Sequence, residues 1–146
     1  MENLKIGHFL MNFMGFYILA ISILWIFVTE IMFVSDFLWY TGESYASYLA
    51  TNPTYAEIYI ITKKLIGFVL LANGILVLFI NNKSYKIGEK WAWYALLISG
   101  SITWGLFIIY KIYIGYYGGS MITFIVGLGL LVTGLAFPVK EILGKK

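Results

Sequence analysis

The chain has 146 residues, of which 61% are hydrophobic and only 12% are charged. A soluble domain has about twice that charged share, and a chain this short has too much surface to bury so many apolar side chains in water. The net charge of +3 comes from lysine alone, and the chain has no cysteine and one histidine. Disulfides, iron–sulfur clusters, cysteine or multi-histidine metal sites and arginine clamps for phosphate are therefore excluded.

The first apolar run covers residues 9–34. A transmembrane helix needs about 20 apolar residues, so this run crosses a bilayer with room to tilt. It is too long for the core of a signal peptide. We predict one uncleaved transmembrane helix here.

Residues 35–54 form the one long connection, and it is rich in aromatic side chains. Tyr45, Tyr48 and Leu49 have the i, i+3, i+4 spacing of one helical face. Tyrosine and tryptophan favour the headgroup level because they combine an apolar ring with a polar group. We predict a short interfacial helix in this outer loop, with Trp39 as an interface anchor.

The second span is predicted over residues 55–80. Asn52-Pro53 marks its start, because asparagine caps helices well and proline suits the first helical turn. The purely apolar part begins after Lys64 and measures about 24 Å, which is short of a hydrocarbon core about 30 Å thick. Lys63 and Lys64 should therefore lie near the outer boundary, with their amines reaching outwards or paired.

The third and fourth spans are predicted over residues 91–111 and 120–139. A polar turn with three lysines precedes the third span, and a glycine-rich turn precedes the fourth. Trp91 and Trp93 are predicted interface anchors at the start of the third span. The four spans together predict an all-α membrane protein, a four-transmembrane-helix bundle that forms a single domain over residues 1–146.

The lysines predict the orientation of the bundle. With the N-terminus in the cytoplasm, three of the ten lysines lie outside and the rest inside, which obeys the positive-inside rule. We predict a multi-pass protein of the cell membrane with both termini in the cytoplasm. The lysines predicted to be cytoplasmic are Lys5, Lys83, Lys86, Lys90, Lys140, Lys145 and Lys146.

Charged groups inside a span are costly and often functional. Glu30 and Lys111 both lie about 30 Å along their predicted helices, with Lys64 about 6 Å deeper. We predict a polar cluster of Glu30, Lys63, Lys64 and Lys111, acting either as an interfacial ion pair or as a site for an ion, proton or substrate. Asn73 lies in the middle of the second span and is a candidate for a hydrogen bond between helices.

Small residues four positions apart allow helix backbones to approach closely in lipid. The predicted packing positions are Ser101, Gly105, Thr123, Gly127, Gly129 and Gly134. His8, at the inner edge of the first span, is either a metal ligand or an ordinary interfacial residue. We predict no catalytic residue, no bound metal and no cofactor.

Residues 86–94 read Lys-Ile-Gly-Glu-Lys-Trp-Ala-Trp-Tyr, and Trp104 follows. This run resembles one in small, uncharacterised four-span membrane proteins of archaea and bacteria, where a basic Gly-Glu turn leads into Trp-Ala-Trp at the start of the third span. The resemblance covers residues 60–110. It implies a shared bundle architecture and supplies no activity. The lysine-only, cysteine-free, tyrosine-rich composition also suits an archaeal or thermophilic source.

Three functions stay open at this point. The first is a non-catalytic accessory or structural subunit of a larger membrane complex, such as a respiratory or other membrane oxidoreductase. The second is a small oligomeric transporter or channel, and the third is a membrane enzyme or binding protein for a lipid, sterol or quinone. The predicted partners are the lipid bilayer and other membrane subunits or further copies of the chain, with no nucleic acid.

Overall fold

The computed structural model describes residues 2–144, and every regular element in that range is helical. Four helical segments are long and apolar enough to cross a membrane: Glu2–Phe27, Pro53–Ile87, Lys90–Ile114 and Gly119–Ala136. The predicted all-helical class with four such helices is confirmed. Lys145 and Lys146, which enter the topology prediction, lie outside the described residues.

The elements follow one another with short connections. In chain order they are α1 (Glu2–Phe27), α2 (Thr29–Thr41), α3 (Tyr45–Thr51), α4 (Pro53–Lys83), a 3₁₀ turn (Tyr85–Ile87), α5 (Lys90–Ile114), α6 (Gly119–Ala136) and α7 (Val139–Leu143). The first residue of α4 is Pro53, as the proline signal predicts.

The first apolar run forms two helices that meet at Val28, where we predicted a single helix to residue 34. The Thr29 hydroxyl donates to the Trp25 carbonyl at 2.7 Å. In a regular helix that carbonyl would accept from the amide of Thr29. Hydroxyl groups that bond back in this way bend helices. Beyond the bend, α2 packs against α4 and α5.

Most of the long connection is therefore helical, as α2 and α3. Gly42 separates them with a φ of 73°, a left-handed conformation that glycine adopts without a steric penalty. Tyr45 is buried and its hydroxyl donates to the Ala56 carbonyl at 2.9 Å, which fastens α3 to α4. Burial, together with the Glu30 carboxylate, raises the pKa of the Tyr45 phenol, so this donor keeps its proton.

An aromatic cluster fills the space between α2, α3 and α4. Its rings meet mostly edge to face, with centroids between 4.9 and 6.5 Å apart, the geometry in which the positive edge of one ring faces the negative face of another. The members are Phe33, Phe37, Tyr45, Tyr48 and Tyr59. Leu49, which we predicted to share a face with Tyr45 and Tyr48, is exposed.

Helix α1 is the centre of the bundle, because it packs against α4 on one side and against α6 on the other. Helix α5 packs against α6, whereas α4 and α5 touch over little of their length. Glycines allow the tight α1–α4 contact: a Cβ atom added at Gly15, Gly67 or Gly74 would lie 2.5 to 2.8 Å from a side-chain atom of the facing helix. The arrangement leaves a cleft between α4 and α5.

Two of the six predicted packing positions make close contacts. A Cβ atom on Gly127 would meet the Trp104 ring at 2.4 Å, and one on Gly134 would meet the Met11 sulfur at 2.8 Å. The other predicted positions are looser. Gly105 and Gly129 face open space, Ser101 is exposed and Thr123 is half-buried.

A directed chain of hydrogen bonds joins α1 to the end of α4 around His8. The side-chain amide nitrogen of Asn81 donates to the His8 backbone carbonyl at 3.0 Å. The side-chain oxygen of Asn81 therefore faces His8 Nδ1 at 3.2 Å. His8 Nδ1 must then carry the proton, and Nε2 accepts from Asn12 at 3.2 Å. Asn82 completes the chain by donating to Asn12 at 2.9 Å. Through these bonds His8 contributes to the contact between α1 and α4.

The contact between α1 and α6 provides a test of the packing. A Cβ atom on Gly7 would lie 2.7 Å from the backbone oxygen of Gly134, which cannot rotate away, whereas one on Gly129 would meet open space. Alanine in a helix is favoured over glycine by about 1 kcal/mol, while forced overpacking costs about 1–3 kcal/mol. We expect Gly7→Ala to lower the thermal unfolding midpoint in detergent and Gly129→Ala to leave it equal or higher. Equal midpoints for the two variants would contradict this packing.

Candidate functional site

A buried ion pair lies where α2, α5 and α6 meet. The Lys111 amine donates to the Asp36 carboxylate and, at 2.6 Å, to the Ser120 hydroxyl. The Ser120 hydroxyl donates to the second Asp36 oxygen at 3.4 Å. The side chains of Lys111 and Asp36 are only 1% and 4% exposed. Charges this far from water are tolerated because each has an opposite charge and a further hydrogen bond.

The acid that meets Lys111 is Asp36, whereas we predicted Glu30. The two acids are six residues apart on α2, which places them about 120° apart around the helix. Thr29, Phe33 and Asp36 share the buried face of α2, and Glu30 is exposed. Asp36 on this buried face reaches Lys111 of α5 and Ser120 of α6.

Lys63 is buried close to this pair without a hydrogen bond or an ion pair to any residue in the range 2–144. Its side chain is 9% exposed. The amine lies 4.9 Å from the centre of the Tyr59 ring, 5.2 Å from Tyr110 and 5.9 Å from Trp25. Aromatic faces attract a cation, but they accept none of its N–H bonds as a carboxylate would.

A cavity of about 570 Å³ extends from Lys63 and Asp36 into the cleft between α4 and α5. Apolar side chains form most of its wall, and Trp25 and Phe124 form its floor on α1 and α6. The mouth faces outwards between exposed residues of the two helices, namely Leu65, Val69, Ile102 and Leu106.

Asn73 lies at the other end of this cavity. Its amide donates to the Thr103 hydroxyl at 2.8 Å, and Thr103 donates in turn to the Ser99 carbonyl at 2.8 Å. This bond bridges α4 and α5 where the two helices otherwise have little contact. The ten residues from Lys63 to Asn73 span about 15 Å along α4.

A second cavity of about 340 Å³ lies on the other side of the ion pair, between α1, α2 and α6. Trp25, Asp36 and Phe124 line both cavities. The indole nitrogen of Trp25 is buried and has no hydrogen-bond partner in the described chain. An unpaired donor therefore lies in the wall that separates the two spaces.

The predicted polar cluster is thus divided. The structure brings Lys63, Lys111 and Asn73 to one cavity, and it leaves Glu30 and Lys64 exposed, with no salt bridge to any residue in the described range. Sequence reasoning missed Asp36, Ser120 and Trp25. The usable signal was the spacing of Thr29, Phe33, Asp36 and Phe37, which is that of one buried helical face.

The predicted tryptophan anchors have different surroundings. Trp91 is exposed and donates to the Glu89 carboxylate at the start of α5. Trp93 is half-buried and donates to the Leu135 carbonyl at 3.0 Å, so it also joins α5 to α6. Trp39 is exposed, with its ring centre 5.9 Å from that of Tyr116.

Comparison with known proteins identifies no relative: no family model, no curated protein and no solved structure matches this chain. The resemblance of residues 86–94 to small four-span proteins stays a prediction. Within residues 2–144 no three His, Asp or Glu side chains lie together in a group that could hold a metal ion.

The ion pair predicts a non-additive pattern of stabilities. Asp36→Asn or Lys111→Met alone leaves one buried charge without its partner, which costs about 3–5 kcal/mol. The double variant removes both charges, so we expect it to recover most of that loss in reversible unfolding in detergent or bicelles. Glu30→Gln is the control, because a change at an exposed residue without an ion pair stays within about 0.5 kcal/mol. Additive losses for Asp36→Asn and Lys111→Met would contradict the pairing.

Proposed function

We propose that this chain is a non-catalytic, multi-pass membrane protein that binds a lipid, sterol or quinone in the cleft between α4 and α5. One observation carries the proposal: an apolar cavity that opens between two membrane-length helices ends at a buried ammonium without a hydrogen-bond acceptor. An amphipathic molecule has an apolar part that fits the cavity and a polar part that can bind the ammonium.

The dimensions of the cleft support this proposal. Its volume of about 570 Å³ falls within the range of about 300–1,000 Å³ that is usual for small-molecule pockets. Such pockets are mostly apolar, with a few convergent polar groups that orient the ligand, and here those groups are Lys63, Asp36 and Asn73. Because the mouth lies between helices and not at a helix end, a ligand would enter from within the bilayer.

An accessory subunit of a larger membrane complex is the second candidate. The same apolar mouth favours it, since a helix of another subunit or of a second copy could lie there. The two candidates are compatible, because a ligand-binding subunit can belong to a complex. The transporter alternative stays a prediction.

We further propose that both termini are cytoplasmic and that the protein resides in the cell membrane. The excess of lysines in the segments that would then be cytoplasmic supports this orientation. Lys63 and the Asp36–Lys111 pair would then lie in the outer half of the membrane, together with α2 and α3. The aromatic side chains of these two helices suit a headgroup environment.

The orientation can be tested cleanly because the chain has no cysteine of its own. Lys86→Cys and Ser44→Cys introduce single thiols into the turn before α5 and the connection between α2 and α3. We expect a membrane-impermeant maleimide added to intact cells to label Ser44→Cys and to label Lys86→Cys only after lysis. The reverse labelling pattern would overturn the orientation.

Filling the cleft tests the binding function. Leu106 and Ile109 on α5 are 61% and 62% exposed, but only Leu106 lines the cavity. We expect Leu106→Trp to remove the small molecules that remain bound to the protein in native mass spectrometry after mild-detergent extraction. Ile109→Trp should retain them. Retention by both variants, or no bound molecule in the unaltered protein, would contradict a ligand in this cleft.

A further inference from the structure

We propose that the Lys63 end of the cleft binds the headgroup of an anionic lipid, one that carries a single negative charge and lays an acyl chain between α4 and α5. This inference rests on the proposed binding function and names the class of ligand. Charge, hydrogen bonding and length each contribute to it.

The charge balance of the buried groups favours one negative charge on the ligand. Lys111 is neutralised by Asp36, with which it forms the ion pair. The Lys63 amine faces three aromatic rings and has no ion pair of its own within residues 2–144. Asp36 acts on both lysines but is bonded to Lys111, so the charges of Asp36, Lys63 and Lys111 sum to one positive charge. Burial of an uncompensated charge is costly, and a monoanionic headgroup removes that cost.

The hydrogen-bond donors at this end also have no acceptors in the described chain. The Lys63 ammonium has three N–H donors and faces rings, which accept none of them as a carboxylate would. A carboxylate or phosphate has several acceptor oxygens, and its bonds to an ammonium are stronger than bonds to a neutral carbonyl. A quinone or a sterol would offer an acceptor but would leave the positive charge unmatched.

The length of the cleft matches one leaflet of a bilayer. About 15 Å separate Lys63 from Asn73 along α4, which is half of a hydrocarbon core about 30 Å thick. Asn73 is bonded to Thr103 across the cleft and closes its far end. An acyl chain that starts at a headgroup beside Lys63 would therefore lie along the cleft and end near the middle of the membrane.

Two adjacent lysines provide a matched pair for the test. Lys63 is buried at the cavity, and Lys64 is exposed and does not line it. Native mass spectrometry would measure the binding of four added molecules: dioleoylphosphatidylglycerol, oleic acid, dioleoylphosphatidylcholine and ubiquinone. We expect the unaltered protein and Lys64→Met to bind one or both anionic lipids at least about tenfold more tightly than the neutral molecules, a preference worth about 1.4 kcal/mol. Lys63→Met should lose that preference.

A further readout separates ligand binding from a structural role. Because Lys63→Met removes a buried charge, we expect its unfolding midpoint without added lipid to stay equal or rise. If the unaltered protein binds ubiquinone or phosphatidylcholine as tightly as the anionic lipids, the inference fails and the proposed function stands.

Two more outcomes are decisive. If none of the four molecules binds, the inference fails and the proposed function loses its lipid and quinone ligands. If Lys63→Met keeps the anionic preference, lipid selection comes from the outer surface and the inference fails. Preference for oleic acid would identify a carboxylate headgroup, and preference for phosphatidylglycerol a phosphate headgroup, and either one supports the proposal.

Discussion

The structure depends on how two ammonium groups are accommodated in an apolar bundle. Lys111 meets Asp36 because α2, which begins after the break at Val28, packs against both α4 and α5. Without the carboxylate from α2, Lys111 and Lys63 would be two like charges in a medium with little capacity to screen them. The aromatic cluster between α2, α3 and α4 holds that carboxylate in place. The ion pair is thus a structural requirement of the fold as well as one wall of the cavity.

The cleft follows from the order of the helices. Helix α1 packs against α4 and α6, and α5 packs against α6, so α4 and α5 have little direct contact. They meet at the bond from Asn73 to Thr103 and where the Lys63 amine faces the Tyr110 ring. In lipid no hydrophobic force closes such a gap, because acyl chains are as apolar as leucine side chains. A cleft of this kind can stay open and filled by a chain from the bilayer. The same reasoning accounts for the many exposed apolar residues on the outer faces of the four long helices.

The sequence predicted the four membrane-length helices because apolar runs of this length have few alternative structures. We predicted that Asp36 lies in a loop. The polar and aromatic residues after Val34 made the helical spacing of Thr29, Phe33 and Asp36 difficult to recognise. Counting residues along ideal helices gave the wrong partner for Lys111, Glu30, because position along a helix does not say which face of the helix a residue occupies. The Lys63 amine contacts aromatic rings and forms no ion pair with an acid. This arrangement depends on contacts between α1, α4 and α5, which a local sequence pattern does not predict.

The central claim is that an acyl chain occupies the cleft, and contact between lipid and a buried side chain tests it most directly. Leu70 and Leu131 are both buried, and only Leu70 lines the cavity. With the protein methyl-labelled in lipid nanodiscs, nuclear Overhauser effects from lipid chain protons should reach the Leu70 methyl groups and not those of Leu131. If Leu70 shows no lipid contact, or no more than Leu131 shows, the cleft is closed or empty and the account is contradicted.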